Sequence, residues 1–324
     1  MNAIIALDPA NYERSCLHAK DRIWAETNCY VDVLIELIHS LGFDPRAGLA
    51  FSLAVDFEVD QWTFFKYPHE DLYTLYGMDV IELNPWVSLL QHVEEQVGAG
   101  RPVLVEMDSF YLPDTLGTAY QSVHTKTTIA VNTIDAKAGS MGYFHGQAYY
   151  ELSGPEFRDI FQVDGLVHER MLPPYIEVVK LTKNSTDVQD DELTTQSIAS
   201  LRTQLERLPA HNPFDLFRAR FEKDLEWLAS EPMETFHGYS FATLRQYGAC
   251  FELAANYLDW LAERGETGLD TTARTYAEIS EIAKTVQFKL ARTLARKRTL
   301  DLGPIDEMST RWQAATQELV DRYL

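Results

Sequence analysis

One stretch of this chain carries thiol chemistry in its residue types and spacing. "TNCYVDVLIELIHSLG" (Thr27 to Gly42) sets Cys29 at the start of a helical run. The unpaired N–H groups and dipole of a helix N-terminus favour a thiolate, the form of cysteine that attacks carbonyl carbon. Such a nucleophile needs a base, in thiol enzymes a histidine oriented by a third polar group. The chain offers Cys29, then His124 at a strand start, then His145 near the end of the following strand; Asn132 or Glu151 could instead be the third member. A symmetric "DAKAG" turn would set His124 opposite Tyr149, so pairing with His145 requires a bulge. The competing reading of Cys29 is a small apolar residue at the edge of a core.

The elements that must position these groups follow from periodicity. Tyr30 to Leu41 is apolar except for Asp32, Glu36, His39 and Ser40, one narrow stripe on a helix buried nearly all round. Thr27 or Asn28 caps it, and Gly42 with Pro45 closes it. "NPWVSLLQHVEEQVGAG" predicts a helix capped by Asn84 with Pro85 at its first position. "RPVLVEMDSF", "HTKTTIAVNTID" and "SMGYFHGQAYYEL" each predict a strand, and "YLPDTLGTAYQSV" a loop. This makes an α+β domain over residues 1–182. Beyond the acidic stretch Thr182 to Ser197 the spacing is helical, at about 193–208, 213–230, 239–264, 270–298 and 304–323, which predicts an all-α helical bundle over 183–324.

Composition bounds the partners. The net charge of −21 and pI near 4.8 argue against nucleic acid or an anionic membrane as the main partner, while leaving room for local basic patches. No window approaches a membrane span, and the N-terminus lacks the features of a signal peptide. Three scattered cysteines make neither a disulfide framework nor a zinc site, so a reducing cytoplasm is expected. Cys16 sits in a charged segment and Cys250 mid-helix among Ala and Phe, where it reads as core. His69 and His237 lack metal-ligand spacing, so no metal is expected. With no phosphate loop or dinucleotide fingerprint, neither ATP nor NAD is expected to be used directly.

The segments "NCYVDVLIELIHSLG", "GRPVLVEMDSFYLPDT", "VHTKTTIAVNTID" and "MGYFHGQAYYEL" together resemble the papain-like N-terminal domain of the butirosin biosynthesis acyltransferase group. That group is itself similar to double-glycine leader peptidases. With "FHGYSFATLRQYGACFELAANYLDWL" and "KTVQFKLARTLARKR", the chain is identified as a member of the bacterial family catalogued as domain of unknown function 1839. The resemblance implies Cys29 as nucleophile, His124 as general base, and His145 in the slot usually held by Asp or Asn. Papain-like enzymes place an oxyanion-donating Gln shortly before the cysteine; this sequence has none there, so Asn28, Thr27 or backbone N–H groups would serve. Asp108, Tyr111 and Asp114 would line the cleft, with Asp108 shaping the site and not acting as base.

A thiol–imidazole pair supports acyl transfer. The resemblance implies an aminoacyltransferase in which Cys29 takes an aminoacyl group from the phosphopantetheine thioester of an acyl carrier protein. The acceptor is open, and an amino acid:carrier protein ligase is a second implied partner. No cofactor is expected beyond the phosphopantetheine arm that tethers the substrate. A cysteine peptidase or thioesterase is the runner-up, and a non-catalytic carrier-binding scaffold a third reading. Carrier proteins are acidic, and Lys289, Arg292, Arg296, Lys297 and Arg298 form a basic decade without an acid. It reads either as a docking surface or as cations complementing a helix C-terminus.

Overall fold

The computed structural model describes residues 3–165, 174–296 and 298–324. It is a mixed α+β protein, 55% helical. The chain divides into two compact units, the first formed by Met1–His18, Asn28–Pro45 and His69–Val188. The second takes in Ala19–Thr27, Arg46–Pro68 and Gln189–Leu324. Two short segments from the N-terminal part thus group with the C-terminal helices.

A two-stranded ribbon, β1 (Phe57–Glu58) and β2 (Gln61–Trp62), belongs to the second unit. The first unit holds a six-stranded antiparallel sheet of β3 (Met78–Glu82), β4 (Val103–Asp108), β5 (Lys126–Asp135), β6 (Ser140–His145), β7 (Ala148–Ser153) and β8 (Ile176–Leu181). The strand order is β3-β8-β4-β5-β6-β7. Its helices are α1 (Cys29–Ser40), α2 (His69–Tyr76), α3 (Leu89–Gly98) and α4 (Pro155–Ile160).

Strand alternation divides the sheet's residues between two faces. One face carries Val103, Val105, Met107, Ile129, Val131 and Tyr143 into a core with Val93, Val97, Phe157 and Ile160 of α3 and α4. The other carries Glu106, Thr128, Ala130 and Phe144 and receives α1, whose Val31, Val33, Leu34, Ile35, Leu37 and Ile38 are fully buried. Burying a side chain of this size stabilises by about 1.5–3 kcal/mol.

The polar stripe of α1 is buried as well. His18 lies between Asp32 (Nε2 to Oδ1, 3.2 Å) and Glu36, which its Nδ1 contacts. Carboxylates only accept, so both ring nitrogens carry protons. Burial acts to lower the pKa of His18, but the hydrogen bonds and charges of Asp32 and Glu36 outweigh it and leave the value raised. Ser15 N and the Tyr12 hydroxyl also donate to Glu36, fixing residues 12–18 on the helix.

Three expectations are corrected here. "SMGYFHGQAYYEL" is not one strand but the hairpin β6–β7, turned at Gly146 with φ +52°. The cap of α3 is Ser88, whose Oγ accepts from Gln91 N; Asn84 and Pro85 lie outside the helix. The helix expected over 239–264 is interrupted at its start by a π turn.

In the second unit the helices are α5 (Asp190–Glu206), α6 (Pro213–Leu228), α7 (Met233–Ser240), α8 (Gln246–Glu263), α9 (Asp270–Arg296) and α10 (Gly303–Tyr323). The π turn Phe241–Arg245 joins α7 to α8. Trp62, Phe214, Phe217, Tyr247 and Phe251 pack ring against ring in its interior, edge-on, tilted and, for Phe214 on Phe251, stacked. No helix among the described residues is long and apolar enough to cross a membrane.

Candidate active site

Cys29 is the first residue of α1. Asn28 caps the helix, its Oδ1 accepting from Val31 N at 3.0 Å, so that oxygen is committed to the backbone. The thiol is partly exposed, and Sγ donates to Thr128 Oγ1 at 3.6 Å. Cys250 is fully buried and its thiol pushed well up by that burial; Cys16 is exposed in a short 3-10 turn. Of the three, Cys29 alone combines a helix N-terminus with partial access.

Next to the thiol, the Tyr30 hydroxyl donates to Glu177 Oε2 at 2.8 Å, and Tyr175 donates to Glu177 Oε1 at 2.9 Å. Burial and then the Glu177 carboxylate push the Tyr30 phenol up. His69 Nε2 lies 3.3 Å from the Tyr30 hydroxyl and 3.5 Å from Glu177. Glu177 is buried on β8, so this cluster holds the first turn of α1 on the sheet.

His124 stands just before β5. Its Nδ1 donates to Asp108 Oδ2 at 2.6 Å, and its ring stacks on Phe110 with centroids 4.2 Å apart at 14°. Because a carboxylate only accepts, Nδ1 carries a proton. The other Asp108 oxygen accepts from Phe110 N at 3.0 Å, so one side chain orients the imidazole and caps the 3-10 turn Ser109–Tyr111. Tyr111 meets the imidazole edge-on, and its phenol is raised first by burial and then by Asp108 and Asp159. The His124 side chain is 45% exposed.

Register relates these groups. Glu106 pairs with Thr128 and Asp108 with Lys126 across β4 and β5, so the thiol's partner and the imidazole's partner share a sheet face. Asp108 lies one same-face step from the Thr128 pair, a distance of about 7 Å along a strand. Lys126 Nζ donates to Glu106 Oε1 at 2.6 Å between them. The structure therefore sets Cys29 and His124 on one face but pairs the sulfur with a threonine hydroxyl.

His145 is elsewhere. Ala130 pairs with Phe144, so His145 falls level with Ile129 on the opposite face. A bulge between Val131 and Thr133 shifts the register, too little to bring His145 to His124. Its Nδ1 donates to Asp114, and its Nε2 accepts from Thr127 Oγ1 at 2.8 Å. Tyr143 donates to the other Asp114 oxygen. Hydroxyl, imidazole and carboxylate thus form a relay of triad type, but Thr127 is only 7% exposed and presents no accessible nucleophile. The relay fastens the loop after β4 to the sheet.

Neither Asn132 nor Glu151 orients His124. Asn132 is spent on Ile5 and the Tyr149 hydroxyl, and Glu151 pairs across the hairpin with Gly142. Asp108, expected only to shape the site, is the residue that orients His124. Thr128 had no signal in the sequence beyond its place on an expected strand.

Thr27 is buried and groups with the second unit. Lys289, Arg292 and Arg296 lie on α9 in the second unit, exposed with Arg298; Lys297 lies outside the described residues. No group of three or more His, Cys, Asp or Glu among the described residues is placed to hold a metal. A cavity of about 330 Å³ lies at the far end of α1, lined by Ala6, Tyr12, His39 and Ser40 among others, and no candidate residue lines it.

A search of curated proteins gives no match. Family models for the DUF1839 N-terminal domain and the DUF1839 C-terminal domain match residues 13–181 and 190–321. The chain therefore belongs to the DUF1839 family, domain of unknown function 1839, over nearly its whole length.

Proposed function

We propose that this protein is a cysteine-dependent acyltransferase with a papain-like site, moving an aminoacyl group from a carrier-protein phosphopantetheine thioester through Cys29 to a nucleophilic acceptor. The observation that carries the reading is a thiol on the first residue of a helix with an Asp108-oriented imidazole on the same sheet face. In the first half-reaction His124 Nε2 takes the thiol proton as sulfur attacks the thioester carbonyl. The pantetheine sulfur then leaves and receives that proton. In the second, His124 takes a proton from the acceptor, which attacks the Cys29 thioester and frees the thiol. Backbone N–H groups at the start of α1 are the donors available to the oxyanion. The imidazole moves by about one strand step, or the substrate bridges the gap, since catalytic hydrogen bonds often tighten only in the loaded complex.

Three free thiols suit a reducing cytoplasm, which we take as the compartment. One observation favours a second reading: the sulfur bonds to Thr128 and not to an imidazole, as a carrier-binding scaffold without catalysis would permit. Discharge of a loaded carrier, followed with and without an amine acceptor, separates the readings. Acceptor-dependent transfer supports the proposal, release to water alone makes the protein a thioesterase, and no discharge leaves the scaffold.

A further inference from the structure

The second unit joins part of the basic decade of α9 to exposed aromatic rings. Phe241, in the π turn between α7 and α8, is 54% exposed, and Phe288 on α9 is 63% exposed. Gln287 Nε2 on α9 donates at 2.8 Å to the Oγ of Ser240, the last residue of α7 and the one before Phe241. The Arg245 guanidinium lies over the Phe241 ring at 4.7 Å. Lys284 Nζ sits 4.2 Å from the Trp24 ring and 5.7 Å from that of Phe288. Burial and then the Arg245 charge hold the Lys284 ammonium below its ordinary value, so the two cations face one region.

From there Lys284, Phe288, Arg292 and Arg296 recur at i, i+4, i+8 and i+12, one stripe about 18 Å long. Between residues 282 and 298 the chain has six cations and no acid, although it has 49 acidic residues in all. Arg245 is answered by Glu26 at 3.3 Å. Lys289, Arg292 and Arg296 have no ion-pair partner among the described residues. Complementing a helix C-terminus would explain cations in the last turn of α9, but not a stripe beginning three turns earlier with aromatic rings at its start.

We propose that the Phe241–Phe288 surface, rimmed by Arg245, Lys284, Arg292 and Arg296, docks an acidic amphipathic helix of a partner protein. The rings offer apolar anchors, and the cations answer carboxylates flanking the partner's apolar stripe. Against a net charge of −21, which disfavours an acidic partner overall, complementarity at this face sets where it lands and in which direction. The face stands independently of the Cys29 reading.

The test is fluorescence anisotropy of the full chain with a labelled Leu/Glu amphipathic peptide of about 20 residues, long enough to form a helix. A matched Leu/Lys peptide and phosphatidylserine vesicles are measured alongside. The Leu/Glu peptide should bind and weaken with added salt. Phe288→Ser and the double variant Arg292→Glu/Arg296→Glu should each weaken it about tenfold, the scale of a lost anchor or charge pair. Both sites are exposed, and unchanged thermal melting of the variants confirms that the fold is kept. Equal binding by the variants, equal binding of the Leu/Lys peptide, or preference for vesicles would each overturn the proposal. A dimer of this chain that Phe288→Ser dissolves would overturn it too, by making a second copy the occupant.

Discussion

Asp108→Asn isolates the orienting bond from the fold. Asparagine keeps a side-chain oxygen able to accept from Phe110 N, so the turn after β4 retains its cap. What is lost is the anionic acceptor of the His124 Nδ1 proton at 2.6 Å. Charge-assisted bonds of this kind are worth about 1.5–3 kcal/mol, or about 10- to 150-fold in a rate that depends on them. The imidazole is 45% exposed, and water weakens the bond, so the lower end applies, about tenfold. The assay is alkylation of Cys29 by iodoacetamide at neutral pH, followed by peptide mass, with Cys16 as internal reference. Asp108→Asn should slow Cys29 about tenfold and leave Cys16 unchanged, with melting within a few degrees of wild type. His145→Asn should leave Cys29 within about threefold of wild type, because its bonds lie on the other sheet face. Wild-type alkylation in Asp108→Asn, or a larger loss in His145→Asn, would refute the assignment of Asp108 as orienter.

Further consequences are open to measurement. Thr128→Val removes the acceptor of the Cys29 thiol at nearly constant volume; it should cost about 1 kcal/mol of stability and keep alkylation within threefold of wild type, whereas a hundredfold loss would place Thr128 in the catalytic machinery. For His18 the folded value is raised, so the folded chain binds that proton more tightly than the unfolded one. Its contribution is complete below about pH 6.5 and is lost as pH rises through the raised folded value. The melting gap between wild type and His18→Gln should therefore narrow from pH 6 towards alkaline pH, and a constant gap would contradict this. Gly142→Ala would set a Cβ 2.0 Å from the Tyr149 hydroxyl and 2.7 Å from Thr133 Oγ1. Denaturant unfolding should show a loss of about 1–3 kcal/mol for that overpacking, and wild-type stability would mean the hairpin yields at this point.

Much of this fold is local in origin and is legible for that reason. The cap at Asn28, the apolar run to Ile38 and the helical spacing of the C-terminal part are decided within a few turns, and their elements start and end near the expected residues. The misses are long-range or backbone-driven. The turn at Gly146 needs a positive φ that periodicity does not register, so two strands read as one. Ser88 outcompetes Asn84 because the cap is set by which side chain meets a free N–H, not by the first capping residue in line.

At the site, the pairing of Asp108 with His124 depends on the β4–β5 register, set by two whole strands. The same register sends His145 to the opposite face, because its position differs in parity from that of the residues facing α1. The segments 19–27 and 46–68 belong to the second unit through contacts that no composition shift announces. The polar stripe of α1 reads as the one strip of that helix left uncovered; burial of Asp32 and Glu36 becomes possible because His18 supplies the charge between them.

The most direct test of the central claim is intact-mass analysis after mixing the protein with an aminoacyl-loaded carrier. A thiol nucleophile assisted by an Asp108-oriented imidazole predicts a single acyl adduct that maps to Cys29, is absent in Cys29→Ala and forms far more slowly in His124→Gln. An adduct that persists in Cys29→Ala, or forms at the wild-type rate in His124→Gln, would contradict it.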